Sequence, residues 1–304
     1  MHPFINLAKR NMFANTNTFC INYDQIMFEP NPVKRLTRMN NITRKFISLL
    51  KDSLSESYPE HKIITTHDEE IEQDNAKRAA KDDSRGRPDT RSKPDTKPAV
   101  ISRSGGANIT WNIEGADAIL DCSKGSKDYV ISVSIYQNEI LEHVIIFNPL
   151  AEEYYAASKG RGASYNGNRR TRVNQAASIT NTLCSTKIVG NNDDDVNKFL
   201  AINRLLLNND ATVRSDASTV LSMVKTAVGQ YDAFLGVNLN PITYAAALFI
   251  LKESGALISN FVGKSENINK FDEKGLPNVD ILATNPTLHT KLLKELSSKK
   301  AIVE

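Results

Sequence analysis

Few residues in this chain combine a reactive type with a suggestive neighbour. His67 stands beside Asp68, with Glu69 and Glu70 directly after. An imidazole next to a carboxylate can hold a metal ion or relay a proton. A lone histidine at the root of a polar loop is more often only solvated, and His61 and His143 have no motif around them. Cys20, Cys122 and Cys184 are odd in number, far apart and without CxxC spacing. They predict neither a disulfide framework nor a zinc knuckle, and a reducing cytoplasm is the expected location. Between Asp74 and Pro98 eight basic residues (Lys77, Arg78, Lys81, Arg85, Arg87, Arg91, Lys93, Lys97) accompany five acidic ones (Asp74, Asp82, Asp83, Asp89, Asp95), an excess equal to the net charge of +3. Such a segment (74–98) can touch RNA or DNA phosphates at low salt. Its interspersed acids and lack of aromatic rings for stacking favour a solvated linker. Asn41-Ile42-Thr43 matches a glycosylation triplet, but it falls on a predicted helix.

The elements that position these residues follow from periodicity. Leu36, Met39, Ile42, Phe46, Leu49, Leu50 and Leu54 recur at steps of three and four, which predicts an amphipathic helix over 36–54. KIITT predicts a strand at 62–66. From about 71 to 108 large apolar residues almost vanish, and RPDTRS is followed by KPDTKP; a mobile surface insertion is expected. ITWNI restores order. YVISVSIY and ILEHVIIF predict paired strands with a turn at Gln137-Asn138, and EEYYAAS a third. KGRGASYNGNRR supplies glycines and an Asn-Gly turn, and STKIVG a further strand. Helices at 196–207, 218–228 and 243–254 then alternate with strands at 231–236, 256–260 and 279–283, before a last helix after Pro286. Early strands followed by this alternation indicate a layered α/β or α+β architecture. The chain is long enough for a two-lobed core, 40% apolar and 24% charged, and no apolar run approaches the roughly 20 residues that span a bilayer.

Taken in order, MHPFINLAKR, SYPEHKIIT, WNIEGADAI, FNPLAEEYYAASKGRGASYNGNRR and VGQYDAFLGVNLNPITYAAALFILKESGALISNF resemble the inositol monophosphatase family. The resemblance runs along nearly the whole chain apart from the basic insertion, and the first two segments are most similar to the family's bacterial SuhB branch. It implies a five-layer αβαβα sandwich forming one domain over 1–304, in two lobes at about 1–180 and 181–304. It also implies phosphate monoester hydrolysis with Mg2+, which lithium antagonises. Metal-assisted hydrolysis needs hard oxygen ligands, one set to activate water and another to neutralise the leaving oxygen.

Residue by residue, that requirement is met in part. The family's WxxDPxDGT becomes Trp111-Asn112-Ile113-Glu114-Gly115-Ala116-Asp117-Ala118-Ile119. Glu114 and Asp117 keep two metal-binding acids, while Ala118 and Ile119 replace the Gly-Thr that grips phosphate at a helix N-terminus. The Glu-Glu pair after the first strand aligns with Thr66-His67, and a small loop shift would let Glu69 or Glu70, or Asp68, supply one ligand. The Asp of the first amphipathic helix aligns with Thr43. The Trp-Asp after the late proline aligns with Ile242-Thr243, where threonine is expected to serve as a helix N-cap. The substrate-contacting Glu aligns with Gly236. The resemblance therefore implies a catalytically impaired member that binds Mg2+ weakly or not at all. The SuhB branch implies a cytoplasmic homodimer that joins RNA polymerase and Nus factors in ribosomal RNA transcription antitermination, a role that does not require phosphatase activity. The alternative is a residual magnesium-dependent inositol or sugar phosphate phosphatase.

Overall fold

The computed structural model describes residues 2–66, 108–115, 117–167, 169–241, 243–266, 268 and 277–299. Helices α1 (Pro3–Met27) and α2 (Pro32–Ser57) open the chain. Each has proline in its first turn and a side-chain cap: His2 accepts the Phe4 N–H and Asn31 those of Val33 and Lys34. Periodicity correctly predicts α2, although Leu49 remains 39% exposed while Ile47 is buried. The whole of α1 escapes prediction because Asn and Thr, which compete with the helical backbone, crowd its middle. That competition is spent within the helix: Asn15, Thr16 and Asn22 donate to Asn11, Met12 and Thr18 carbonyls. Ile5, Ala8, Met12, Phe19, Tyr23 and Ile26 then form its buried stripe.

Seven strands form the first sheet in sequential order: β1 (Lys62–Thr65), β2 (Ile109–Glu114), β3 (Ile131–Gln137), β4 (Ile140–Asn148), β5 (Glu153–Ser158), β6 (Gly162–Tyr165) and β7 (Arg169–Thr171). β1 and β2 are parallel and all later pairs antiparallel. The β3–β4 turn sits on Asn138 and Glu139, both at positive φ (51° and 68°), one residue later than predicted. That left-handed pair matches the twist of the strands it joins. A short helix, α3 (Ile119–Cys122), follows β2.

The second half supplies β8 (Leu183–Ile188), α4 (Asp193–Asn208), β9 (Thr212–Arg214), α5 (Thr219–Ala227), β10 (Ala233–Leu239), α6 (Ala245–Glu253), β11 (Leu257–Ser259), β12 (Val279–Thr284) and α7 (Pro286–Ser297). Where predicted, these elements lie within three residues of their expected ends. The five strands pair in the order β11-β12-β10-β8-β9.

Burial sorts these pieces into five layers. α1 and α2 pack with Trp111, Ile131, Val133, Ile145 and Phe147 on one face of the first sheet. α5 and α6 fill the space between the sheets, against Val144 and Tyr155 on one side and Phe234 and Ile281 on the other. α4 and α7 cover the outer face of the second sheet through Leu205, Leu288 and Leu292. The α/β sandwich expected from the resemblance is therefore the fold observed. The expected basic insertion at 71–108 lies outside the described residues, save Asn108, whose N–H reaches the Asn138 side chain. His67, Asp68, Glu69 and Glu70 also lie outside them.

Candidate functional site

Two of the predicted positions, Thr43 and Thr66, meet Gly115 of the Trp111 motif where α2 passes the ends of β1 and β2. A Cβ built on Gly115 would lie 3.6 Å from Thr66 Oγ1, 3.7 Å from Thr43 Cγ2 and 3.4 Å from Ile47 Cδ1. The meeting point is lined by hydroxyl and alkyl groups. Thr43 is 4% exposed; its Oγ1 donates to the Met39 carbonyl at 2.8 Å and accepts the Tyr129 O–H at 2.9 Å. Tyr129 is fully buried, which drives its phenol pKa upward against the pull of the Thr43 hydrogen bond. Both hydroxyls are thereby satisfied inside the core.

Glu114 ends β2, half-buried, and accepts from Asn112 Nδ2 at 3.1 Å. Asp117 points to a different element: its Oδ2 accepts the Val220 N–H in the first turn of α5 at 3.0 Å. Ser218 caps the same helix by accepting the Leu221 N–H at 2.9 Å. A negative charge at a helix N-terminus is favourable. Desolvation of its carboxylate raises the Asp117 pKa, opposed by hydrogen bonds from Ser218, Val220 and Thr219 and by the Lys187 charge. The residue as a whole is exposed on its turn, so solvent screens that upward push. Ala118 is buried, and Ile119, which begins α3, packs against the first-sheet core.

The late-proline turn reaches the same neighbourhood through Tyr244. This ring is buried, which raises its pKa; a hydrogen bond with Thr219 opposes the rise and the Asp117 charge adds to it. Thr243 is exposed on the turn, and α6 begins at Ala245 with Tyr244 as its cap and no side-chain cap hydrogen bond. The expected Thr243 N-cap is thus corrected: the helix starts two residues later, beyond the reach of that hydroxyl. Gly236, in the middle of β10, is buried and its place is filled. A Cβ there would lie 2.3 Å from Leu239 Cδ1 and 3.0 Å from Phe234 Cε1. A register break between Gly236 and Leu239, with Asn238 at φ 59°, folds Leu239 back over the glycine.

Sequence reasoning missed a supporting network beside Asp117. Lys187 Nζ donates to the Asp216 and Ala217 carbonyls at 3.0 and 2.9 Å, tying β8 to the loop before α5. Asp216 accepts from Tyr231 O–H at 2.5 Å and Ser222 Oγ at 3.3 Å, and lies 3.6 Å from Lys225. A lone lysine in the apolar strand STKIV was the available signal. No group of three or more His, Cys, Asp or Glu side chains placed to hold a metal ion occurs among the described residues.

The sequence pattern of the inositol monophosphatase family matches residues 37–301. This chain belongs to the inositol monophosphatase family. Within the family it is 31% identical to Nus factor SuhB of Pseudomonas aeruginosa over 167 residues, covering 54% of this chain and 61% of that protein. It is 25% identical to Nus factor SuhB of Buchnera aphidicola over 88% of this chain and 90% of that protein. Its fold is that of the SuhB extragenic suppressor protein from Bartonella henselae, with a TM-score of 0.67 at 16% identity over 97% of this chain and all (100%) of that one. A Thermotoga maritima IMPase gives a TM-score of 0.59 at 21% identity over 84% and 82%. Family membership gives the converging positions a common context, and magnesium is the family's general metal. The donors described here do not fit that ion on their own. Near-octahedral magnesium needs several convergent oxygens, and Asp117 is engaged with the N-terminus of α5.

Proposed function

We propose that this chain is a SuhB-like member of the family whose phosphatase machinery is impaired, and that it acts by binding proteins of the transcription antitermination apparatus. The observation that carries this reading is the occupation of family site positions by packing. The Thr43 hydroxyl is bonded to Tyr129, the Thr43 methyl and Ile47 close on Gly115 beside the Thr66 hydroxyl, and Leu239 fills the space at Gly236. Glu114 and Asp117 remain as metal-binding remnants, with Glu69 or Glu70 as the third acid the resemblance allows. The name of the SuhB relatives, Nus factor, supports partners in the transcription machinery; the proposed partners are Nus factors and RNA polymerase, with a cytoplasmic homodimer as the working form. No described helix is long and apolar enough to cross a membrane.

The test combines magnesium calorimetry, phosphate release from inositol 1-phosphate and pull-down of Nus factors and polymerase on the full chain. The expected result is no turnover above buffer, unchanged in Glu114→Gln and Asp117→Asn, with recovery of transcription proteins by all three forms. Asp117→Asn weakens the contact with α5 and lowers stability by about 1 kcal/mol with or without magnesium. Turnover that disappears in the two variants would establish the residual phosphatase instead.

A further inference from the structure

Away from these positions, a cleft of about 570 Å³ opens between the β5–β6 turn, β7 and the C-terminal end of α6. A second cavity of about 220 Å³ adjoins it and runs toward His2 at the start of α1. Arg161, Gly162, Ala163 and Arg170 line both. Arg172 and Lys252 add two more cations to the larger cleft, whose lining holds one carboxylate, Glu253. That carboxylate is already used: its two oxygens accept the Gly160 and Gly162 N–H groups at 2.9 Å each. Both glycines have positive φ (68° and 81°), a conformation that turns the two donors onto Glu253 and that other residues adopt at a cost. The turn is thereby fixed, with Arg161 between the two anchored amides.

Among the described residues, Arg161, Arg170, Arg172 and Lys252 form no ion pair with a carboxylate. Arg170 instead reaches the Arg161 carbonyl at 3.5 Å, which keeps its guanidinium beside the shared wall. Like charges gathered without counter-charges repel one another, and a concave setting concentrates their field. Arg161 already acts on its surroundings: after burial, its charge is the next influence holding the His2 pKa down, and it contributes at His143 too.

We propose that this double cleft binds a chain of two or more phosphate groups, with Arg161 and Arg170 gripping the oxygens at the shared wall. Guanidinium groups match phosphate geometry through paired N–H donors. The larger cavity has the size of a small-molecule site. Its lining contains no aromatic ring on which a base would stack, and His2, the ring on the smaller cavity, is stacked on His143, so the phosphates rather than a base supply the recognition. The site shares no residue with Thr43, Glu114, Asp117 or Gly236, and stands or falls separately from the reading of those positions.

Sodium tripolyphosphate titrated into the full chain by calorimetry is the direct probe, with sulfate at matched ionic strength as control. A short single-stranded RNA forms the second arm. Saturable tripolyphosphate binding is expected, weakened at least about tenfold in the Arg161→Ala/Arg170→Ala double variant and retained in Asp117→Asn. Because both arginines are exposed, circular dichroism of the double variant should match the parent. His2 and His143 imidazole signals should titrate at higher pH when the anion is bound, since it cancels the field of Arg161. RNA that competes through the same arginines and binds more tightly identifies a nucleic acid backbone as the source of the phosphates; RNA that fails to compete assigns a free polyphosphate. Binding that survives the double variant, that sulfate reproduces, or that Asp117→Asn abolishes overturns the proposal.

Discussion

The strand run from Ile131 to Ser158 and the rim formed by Thr43, Thr66 and Gly115 lie in the same half of the molecule but are packed differently. In the run, side chains on both faces are buried, because α1 and α2 cover one side and α5 and α6 the other. Val144 and Ile146 turn to the middle layer while Ile145 and Phe147 turn to the outer one. Such alternation keeps its register because a one-residue slip would exchange the two faces. At the rim, where the resemblance aligns Thr43 and Thr66 with acids of the family, the core continues outward through Ile47, the Thr43 methyl and the Tyr129 ring. The comparison teaches that the sandwich holds its layers while Thr43 and Gly236 are closed in by neighbouring side chains. If that is so, placing charge at either must cost stability.

Gly236→Glu should have the largest effect. Even the first carbon of the new side chain would lie 2.3 Å from Leu239 Cδ1, and the carboxylate would enter a buried strand. Overpacking and desolvation together predict a loss of about 3 kcal/mol or more, read from urea unfolding. Pairing it with Leu239→Ala should recover part of the loss by opening room. A Gly236→Glu protein as stable as the parent would show that Leu239 does not hold this place, and the contrast between the two regions would fail at its clearest point.

A smaller cost follows from Thr43→Val. The methyl packing stays, but the Tyr129 hydroxyl loses its partner inside a fully buried environment. About 2 kcal/mol is expected, against about 1 kcal/mol for Thr43→Ser, which keeps the oxygen but removes a buried methyl. Equal stability of the valine and serine forms would mean that the hydroxyl pair is not what closes the rim.

These two sites also mark what the sequence could and could not disclose. The layered α/β order, α2 and the β3–β4–β5 run were legible because apolar spacing is set locally by burial. The family positions around Trp111 were legible as a motif, down to the survival of Glu114 and Asp117. The partnership of Tyr129 with Thr43 was not, since it joins residues 86 positions apart and neither is unusual in its own segment. Leu239 over Gly236 was hidden for another reason: it depends on a register break and on Asn238 at φ 59°, backbone events that a run of apolar letters does not announce. Thr243 misled because a threonine after a proline is a good cap by type, while the helix start was decided by the burial of Tyr244 and Ala245.

His143 gives the mildest test, at the far end of the strand run, where polar and apolar surroundings meet. Its ring stacks on His2 at 3.9 Å between centroids and bonds to Ser158 at 2.9 Å. Burial, with the neighbouring His2 and Arg161 charges, lowers its pKa to about 4. His2 is lowered as well, and its Nδ1 must stay unprotonated to accept the Phe4 N–H that caps α1. The folded state therefore prefers neutral rings. The stabilisation from His143 is complete above the ordinary histidine value of 6.5 and is lost as pH falls from there toward about 4. Because the ring is only half-buried, solvent screening limits the effect to about 1 kcal/mol. Melting temperature should fall with acidification across that window, and His143→Gln, which can keep the Ser158 hydrogen bond without titrating, should flatten the fall. Carboxylates elsewhere titrate toward the lower end of the same window, so it is the difference between parent and variant that isolates the histidine. An unchanged slope in the variant would move the pH sensitivity away from the start of α1. A flattened one would place it at the same corner of the fold where Arg161 faces the double cleft.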